Sequence, residues 1–176
     1  MFGKRKEEMM VYVVMGFLEA GKTSLVRDLI VDDMFDDKIK TLILACEEGE
    51  EEYEEADLKK GCAVCEYIED EESFNGKVIQ KFLKKHRPDR IIIEYNGMWK
   101  LEDLLSIRYP RSFELQGVYS TVNGTTLDMY LMNMRNMLME QLTESELIVV
   151  NRCADGVNRS GFRRALKVQN LSLIHI

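Results

Sequence analysis

The sequence predicts an α/β fold in which a mostly parallel sheet is covered by helices on both faces. Apolar, β-branched runs alternate along the chain with segments of helical periodicity. The runs are nearly continuous in apolar character, as expected of strands buried on both sides. The first of them ends at a glycine that opens Gly16-Phe17-Leu18-Glu19-Ala20-Gly21-Lys22-Thr23-Ser24, a pattern that joins a strand to a helix.

In chain order, the strand candidates are Met10–Met15, Thr41–Cys46, Arg90–Tyr95, Leu115–Val122 and Glu146–Asn151. The first helix is expected over Thr23–Asp33. The next spans Ser73–His86, with Phe74, Val78, Phe82 and Leu83 near helical spacing. A short one follows at Leu101–Ile107. The longest is Thr125–Glu144, with Leu127, Tyr130, Leu131, Met134, Leu138 and Leu142 on one broad face. Arg159–Val168 closes the series. Met129, Met132, Met134, Met137 and Met139 all fall on the longest helix and cannot face one way, so core filling with a partner-facing flank is expected rather than a methionine metal site. In an open parallel sheet, ligands bind beyond the carboxyl ends of the strands. The Gly16–Ser24 loop, Cys46-Glu47, Glu94 and Asn151 all fall at such ends.

A length of 176 residues suits one domain with one core. The net charge of −7 argues against nucleic acid as a partner, because phosphate backbones reward an excess of Lys and Arg. No apolar stretch approaches the roughly 20 residues of a membrane span, and Met1–Met10 has no apolar signal core. Four cysteines without a secretory signal point to reduced thiols and a cytoplasmic setting. Residues 1–8 read as a charged tail and 9–170 as the domain. Residues 171–176 (LSLIHI) look like translated adapter sequence and are set aside as non-native, an ordinary closing strand being the alternative.

Gly16 to Ser24 match G-x-x-x-x-G-K-[ST] in full, a phosphate-binding P-loop. The chain curls so that its N–H groups face phosphate oxygens, Lys22 bridges the outer phosphates, and Thr23 can ligate Mg²⁺. The expected nucleotide contacts on this loop are Gly16, Glu19, Ala20, Gly21, Lys22, Thr23 and Ser24. Downstream, Glu94 closes an apolar strand and can hold Mg²⁺ through a water or position an attacking one, while Gly97 lets a backbone N–H approach a γ-phosphate. Lys22 and Glu94 are thus the catalytic candidates. Asn151-Arg152-Cys153-Ala154-Asp155 stands where guanine-specific proteins carry N-K-x-D. Arg152 can still stack on a base, but Ala154 holds the Asp position and Asp155 comes one residue late.

Cys62 and Cys65 form C-x-x-C, a spacing that suits one tetrahedral metal such as Zn²⁺; Cys46, Glu47, Glu48 or Glu50 are candidates to complete it. A redox dithiol and two merely buried cysteines are the alternatives. Glu47–Glu72 carries thirteen acidic residues against Lys59 and Lys60, which reads as a solvated, self-repelling, mobile face. His86 stands alone before Arg87-Pro88 and reads as a helix C-terminal residue.

Taken together, these motifs make the chain resemble the CobW-like P-loop GTPases, relatives of the nickel-insertion GTPases of urease and hydrogenase maturation, over most of residues 9–170. Gly16–Thr23 is similar to the family's G-F-L-G-x-G-K-T, Gly61–Cys65 to its G-C-x-C-C, Glu94–Gly97 to its E-x-x-G, and Asn151-Arg152 to the start of N-K-x-D. The resemblance implies the three-layer α/β/α fold of P-loop NTPases. It also implies GTP as ligand with Mg²⁺, weak GTP hydrolysis, and Zn²⁺ or Co²⁺ delivery to a client metalloprotein, or action through a homodimer. Lys22 and Thr23 would then carry the phosphate and Mg²⁺ roles, Glu94 and Gly97 the switch, and Cys62 and Cys65 the metal. The chain departs from the pattern at Val64, which replaces the middle cysteine, and at Glu19, which replaces a glycine. An ATP-dependent small-molecule kinase and a non-enzymatic, nucleotide-stabilised metal scaffold are the rival readings.

Overall fold

The computed structural model describes residues 9–31, 39–47, 49, 51–109, 113–153, 159–167 and 173–175. The N-terminal tail 1–8 and Asp155 therefore lie outside the described residues. Strands β1 (Met9–Met15), β2 (Thr41–Ala45), β3 (Ala63–Tyr67), β4 (Arg90–Glu94), β5 (Phe113–Asn123), β6 (Leu147–Asn151) and β7 (Leu173–His175) form a seven-stranded sheet ordered β3-β2-β4-β1-β5-β6-β7. Every pairing in it is parallel. Helices α1 (Lys22–Val31), α2 (Glu55–Lys60), α3 (Gly76–His86), α4 (Leu101–Ser106), α5 (Leu127–Asn133), α6 (Arg135–Thr143) and α7 (Arg159–Lys167) complete the expected α/β/α layering.

Strand side chains alternate between two apolar layers, which is why the runs read as continuous. Val11, Val13, Leu42, Leu44, Ile91 and Ile93 pack with Ile79 and Leu83 of α3 and Leu104 of α4. Val14, Ile43 and Ile92 face the other way, onto Val26, Leu29 and Ile30 of α1. A third cluster joins Val122, Ile148 and Val150 to Leu138 and Leu142 of α6 and to Phe162 and Leu166 of α7.

The structure differs from the sequence expectation in four places. The acidic run is not wholly a solvated face, since it contains α2 and the edge strand β3. Ala63 and Cys65 of β3 pack toward α1 while Val64 packs on the opposite layer, so the segment around Cys65 is a two-sided strand. The helix expected over Ser73–His86 begins at Gly76, because the Asn75 side chain caps the N–H groups of Lys77 and Val78. The long helix expected over Thr125–Glu144 breaks at Met134 (φ −133°, ψ 30°). Its halves serve different surfaces: Tyr130 stacks on Phe17 of the P-loop at 4.4 Å, while Leu138 and Leu142 pack beneath β5 and β6. The methionines divide accordingly, with Met139 buried and Met129, Met132 and Met137 exposed. His86 is not isolated; its ring lies 2.5 Å from Glu66 of β3, which also pairs with Lys85 at 2.6 Å.

Ile93 is fully buried in β4, between β1 and β2. Ile93→Ala is expected to cost about 2–5 kcal/mol of unfolding free energy by leaving a cavity the sheet cannot close, read as a lower urea midpoint at unchanged slope.

Candidate functional site

The carboxyl ends of β1, β2, β4 and β6 converge on the loop between β1 and α1. Parallel pairing sets this edge: Glu94 registers with both Val14 and Ala45, and Asn151 with Asn123. Gly21 turns at φ +89°, and a Cβ there would lie 2.0 Å from the Asn151 Nδ2. Glu19 also adopts a left-handed conformation, φ 58°, which explains why a glycine suits that position. Its side chain is exposed.

Lys22 is 4% exposed. Its ammonium donates to the carbonyls of Gly16 (2.9 Å) and Phe17 (3.1 Å) and forms a close ion pair with Glu47. Glu47 therefore meets the P-loop lysine, in a different role from the metal ligand considered above. Beside it, the Thr23 hydroxyl donates to Glu94 Oε1 at 2.7 Å, and Tyr53 donates to Glu94 Oε2. Ser24 donates to Glu51 at 2.5 Å. Thus Lys22, Thr23 and Glu94 come together as expected, with carboxylates of the acidic segment laid across them. The cavity bounded by Gly21, Lys22, Thr23, Glu47, Glu94 and Arg152 has a volume of about 30 Å³. It shares Thr23, Glu47 and Glu94 with a cavity of about 260 Å³ that reaches Tyr53 and Tyr67.

Burial raises the Glu94 carboxyl above the usual carboxylate range, against the opposing pull of its Tyr53 and Thr23 hydrogen bonds. The Tyr53 hydroxyl is raised by burial and then by the Glu94 charge. Burial also pushes the Cys65 thiol up to about 12.

At the end of β6, Asn151 Nδ2 donates to the Ala20 carbonyl at 2.7 Å and ties β6 to the P-loop. Its Oδ1 is buried and has no hydrogen-bond partner. Arg152 is exposed with φ 52°. Cys153 Sγ lies against the carbonyls of Val150 and Asn151.

Gly97 sits directly on the P-loop; a Cβ there would meet the Gly16 carbonyl oxygen at 2.2 Å. Its own carbonyl accepts from the buried Gln141 Nε2. Sequence reasoning passed over Gln141 and Tyr53. The available signals were a polar residue inside the apolar stripe of Leu138 and Leu142, and an aromatic flanked on both sides by glutamates. The C-x-x-C pair is divided by the fold, Cys62 exposed at φ 49° before β3 and Cys65 partly buried within it. Among the described residues no group of three or more His, Cys, Asp or Glu is gathered to hold a metal, and Glu48 and Glu50 lie outside them.

A sequence profile of the CobW/HypB/UreG nucleotide-binding domain matches residues 10–171. A search of curated protein sequences returned no significant match. Among solved structures, the fold is similar to Zn(II)-bound YjiA GTPase from E. coli, at 19% identity and TM-score 0.66, covering 96% of this chain and 57% of that one. It is also similar to the hydrogenase maturation factor HypB from Archaeoglobus fulgidus, at 19% identity and TM-score 0.64, covering 96% of this chain and 80% of that one. HypB from Helicobacter pylori in complex with nickel aligns at 13% identity and TM-score 0.60, over 97% and 79% of the two chains. The chain thus spans a little over half the length of YjiA.

Two outcomes follow from this geometry. Glu47 occupies the Lys22 ammonium, and an anion reaching it would have to displace that carboxylate; Glu47→Gln is expected to tighten triphosphate binding about tenfold, the worth of one charge-assisted hydrogen bond, measured by titration of a fluorescent analogue. Glu94, raised in the folded state, holds its proton more firmly there than in the unfolded chain; its contribution is favourable below the carboxylate range and is lost as pH rises through its folded value. Glu94→Gln, with the Thr23 and Tyr53 hydroxyls free to turn, should therefore be more stable than the parent at neutral pH, with the gap narrowing in acid, as read from urea midpoints across that range.

Proposed function

The chain belongs to the CobW/HypB/UreG nucleotide-binding-domain family, and from that premise we propose that it is a GTP-binding protein with weak GTPase activity that couples nucleotide state to transition-metal binding or delivery. The domain concerned is residues 9–170. The observation that carries the coupling is the path of one segment. After β2 it places Glu47 on Lys22 and Tyr53 on Glu94, passes through α2, and arrives at Cys62 and Cys65. Phosphate arriving at Lys22 must displace Glu47. That movement is transmitted along residues 47–60 to the cysteines by covalent connection and by packing of Leu58 and Cys65 against α1.

The residues present fit Mg·GTP. The Thr23 hydroxyl and Glu94 carboxylate already adjoin, and the buried Asn151 Oδ1 beside the loop is an acceptor without a partner. Mg²⁺, when bound, neutralises charge on the phosphates; Thr23 would ligate it, with Glu94 behind through a water. Lys22 holds the outer phosphates. Glu94 accepts hydrogen bonds from Thr23 and Tyr53, which aim its carboxylate at this edge. Gly97 can present its N–H to a γ-phosphate because no side chain separates it from the Gly16 carbonyl. Asn151, Arg152 and Asp155 would select guanine, and Ser24, Glu19 and Ala20 complete the loop around the phosphates. P-loop switches hydrolyse slowly until a partner supplies further positive charge, which supports slow turnover by the chain alone. Zn²⁺ or a similar ion is the cargo, held by the Cys62 and Cys65 thiolates, and a client metalloprotein or second copy receives it.

The test is Zn²⁺ competition against a chromogenic chelator with GTP analogue, GDP, ATP or no nucleotide. Affinity should differ between GTP analogue and GDP, vanish in Cys62→Ser/Cys65→Ser, and lose its nucleotide dependence in Lys22→Ala. Zinc binding indifferent to nucleotide and to both cysteines would overturn the coupling, and clear ATP selectivity would favour the kinase reading.

A further inference from the structure

On the far side of Gly97 from the P-loop, α4 and α6 flank a cavity of about 510 Å³. This is the scale of a site for a few side chains, within the roughly 300–1,000 Å³ of small-ligand pockets. Met15, Trp99 and Leu101 give it an apolar part beside its polar lining, and apolar side chains stand exposed at its lip. Met98 is 62% exposed, Leu105 52% and Met137 36%. Methionine is unbranched and polarizable, which suits a surface that repacks around an incoming side chain. The lip also carries Glu102, Glu140 and Glu144 against Lys100 alone, all of them exposed. At the floor lies Gln141, only 6% exposed, whose Nε2 holds the Gly97 carbonyl while its Oε1 is buried without a hydrogen-bond partner. A buried acceptor left unpaired is costly and marks a place for an incoming donor.

We propose that the α4–α6 groove is a docking site for a basic amphipathic helix of a partner protein, and that Gln141 carries its occupancy to Gly97 and the P-loop. Apolar residues of that helix would fill the cavity, and its Lys or Arg residues would meet the three carboxylates of the lip. A second copy of this chain is a poor occupant. Its basic helix α7 has the required charge, with Arg163, Arg164 and Lys167, but already buries its apolar residues Phe162 and Leu166 in its own core. Docking does not depend on the metal reading. Transmission rests on nucleotide binding at the P-loop: Gly97 lies against Gly16, so a donor that draws Gln141 away releases the Gly97 carbonyl.

The experiment uses the full chain and two fluorescein-labelled synthetic helices, one with Leu and Lys at helical spacing and one with Glu in place of Lys. Anisotropy without nucleotide reads docking, and release of a fluorescent mant-GDP with and without peptide reads transmission. The Leu/Lys helix should bind the parent and Met132→Asp, an exposed position on α5 away from the groove. It should bind about tenfold more weakly to Leu105→Asp and to Glu140→Lys/Glu144→Lys, and the Leu/Glu helix should not bind. The Leu/Lys helix should change mant-GDP release from the parent but not from Gln141→Met. Equal binding to Leu105→Asp, equal binding of the two helices, or no binding at all overturns the docking site; unchanged release from the parent overturns the transmission. Failure of mant-GDP to bind the parent counts against the nucleotide reading, and the anisotropy arm still decides the groove.

Discussion

The buried ammonium of Lys22 is the constraint on which the carboxyl edge of the sheet depends. A cation 4% exposed must be compensated, and two P-loop carbonyls and Glu47 do so. Glu47 lies just past β2, so the demand for a counter-charge holds the start of the acidic segment against the loop. Glu94 makes the complementary demand from β4: a buried carboxylate that collects hydroxyl donors from Thr23 on α1 and Tyr53 on the same acidic segment. One strand-to-helix turn is thereby laced to two neighbouring strands by charge rather than by packing.

Packing supplies the rigidity that makes those charges meaningful. β1 lies mid-sheet, paired with β4 and β5, and its side chains feed apolar layers on both faces. Movement at the edge is therefore confined to the connecting segments beyond the strands. The segment after β2 and the turn around Gly97 are such connections; the first touches the P-loop through the Glu47–Lys22 ion pair and the Ser24–Glu51 hydrogen bond, the second backbone against backbone. Negative charge arriving at Lys22 would substitute for Glu47, and the space beside Gly97 admits no side chain.

Family membership fits this arrangement. The Zn(II)-bound and nickel-bound relatives share the fold at 13–19% identity, so they carry no residue-level evidence for the metal ligands of this chain. In this chain carboxylates crowd the P-loop, and the cysteine pair is dispersed across the start of an edge strand.

Much of the fold was legible from sequence alone, and for a local reason. Apolar strand runs, the glycine-bounded P-loop and the helical stripes are short-range patterns, so all five strand candidates and the order of elements around Gly16–Ser24, Glu94 and Asn151 could be read directly. Local spacing could not reveal β3, whose residues divide between two layers and include Cys65 but not Cys62, or the bend at Met134, which lets Tyr130 stack on Phe17 while Leu138 and Leu142 pack on the sheet. Nor could it show that Glu47 answers Lys22, that Tyr53 answers Glu94, or that Gln141 holds Gly97. The motif determined which chemical groups meet a phosphate, because that depends on adjacent backbone. Only the tertiary structure decided which distant side chains compensate those groups once they are buried, because desolvated charge and unpaired polar atoms find partners through space and not along the chain.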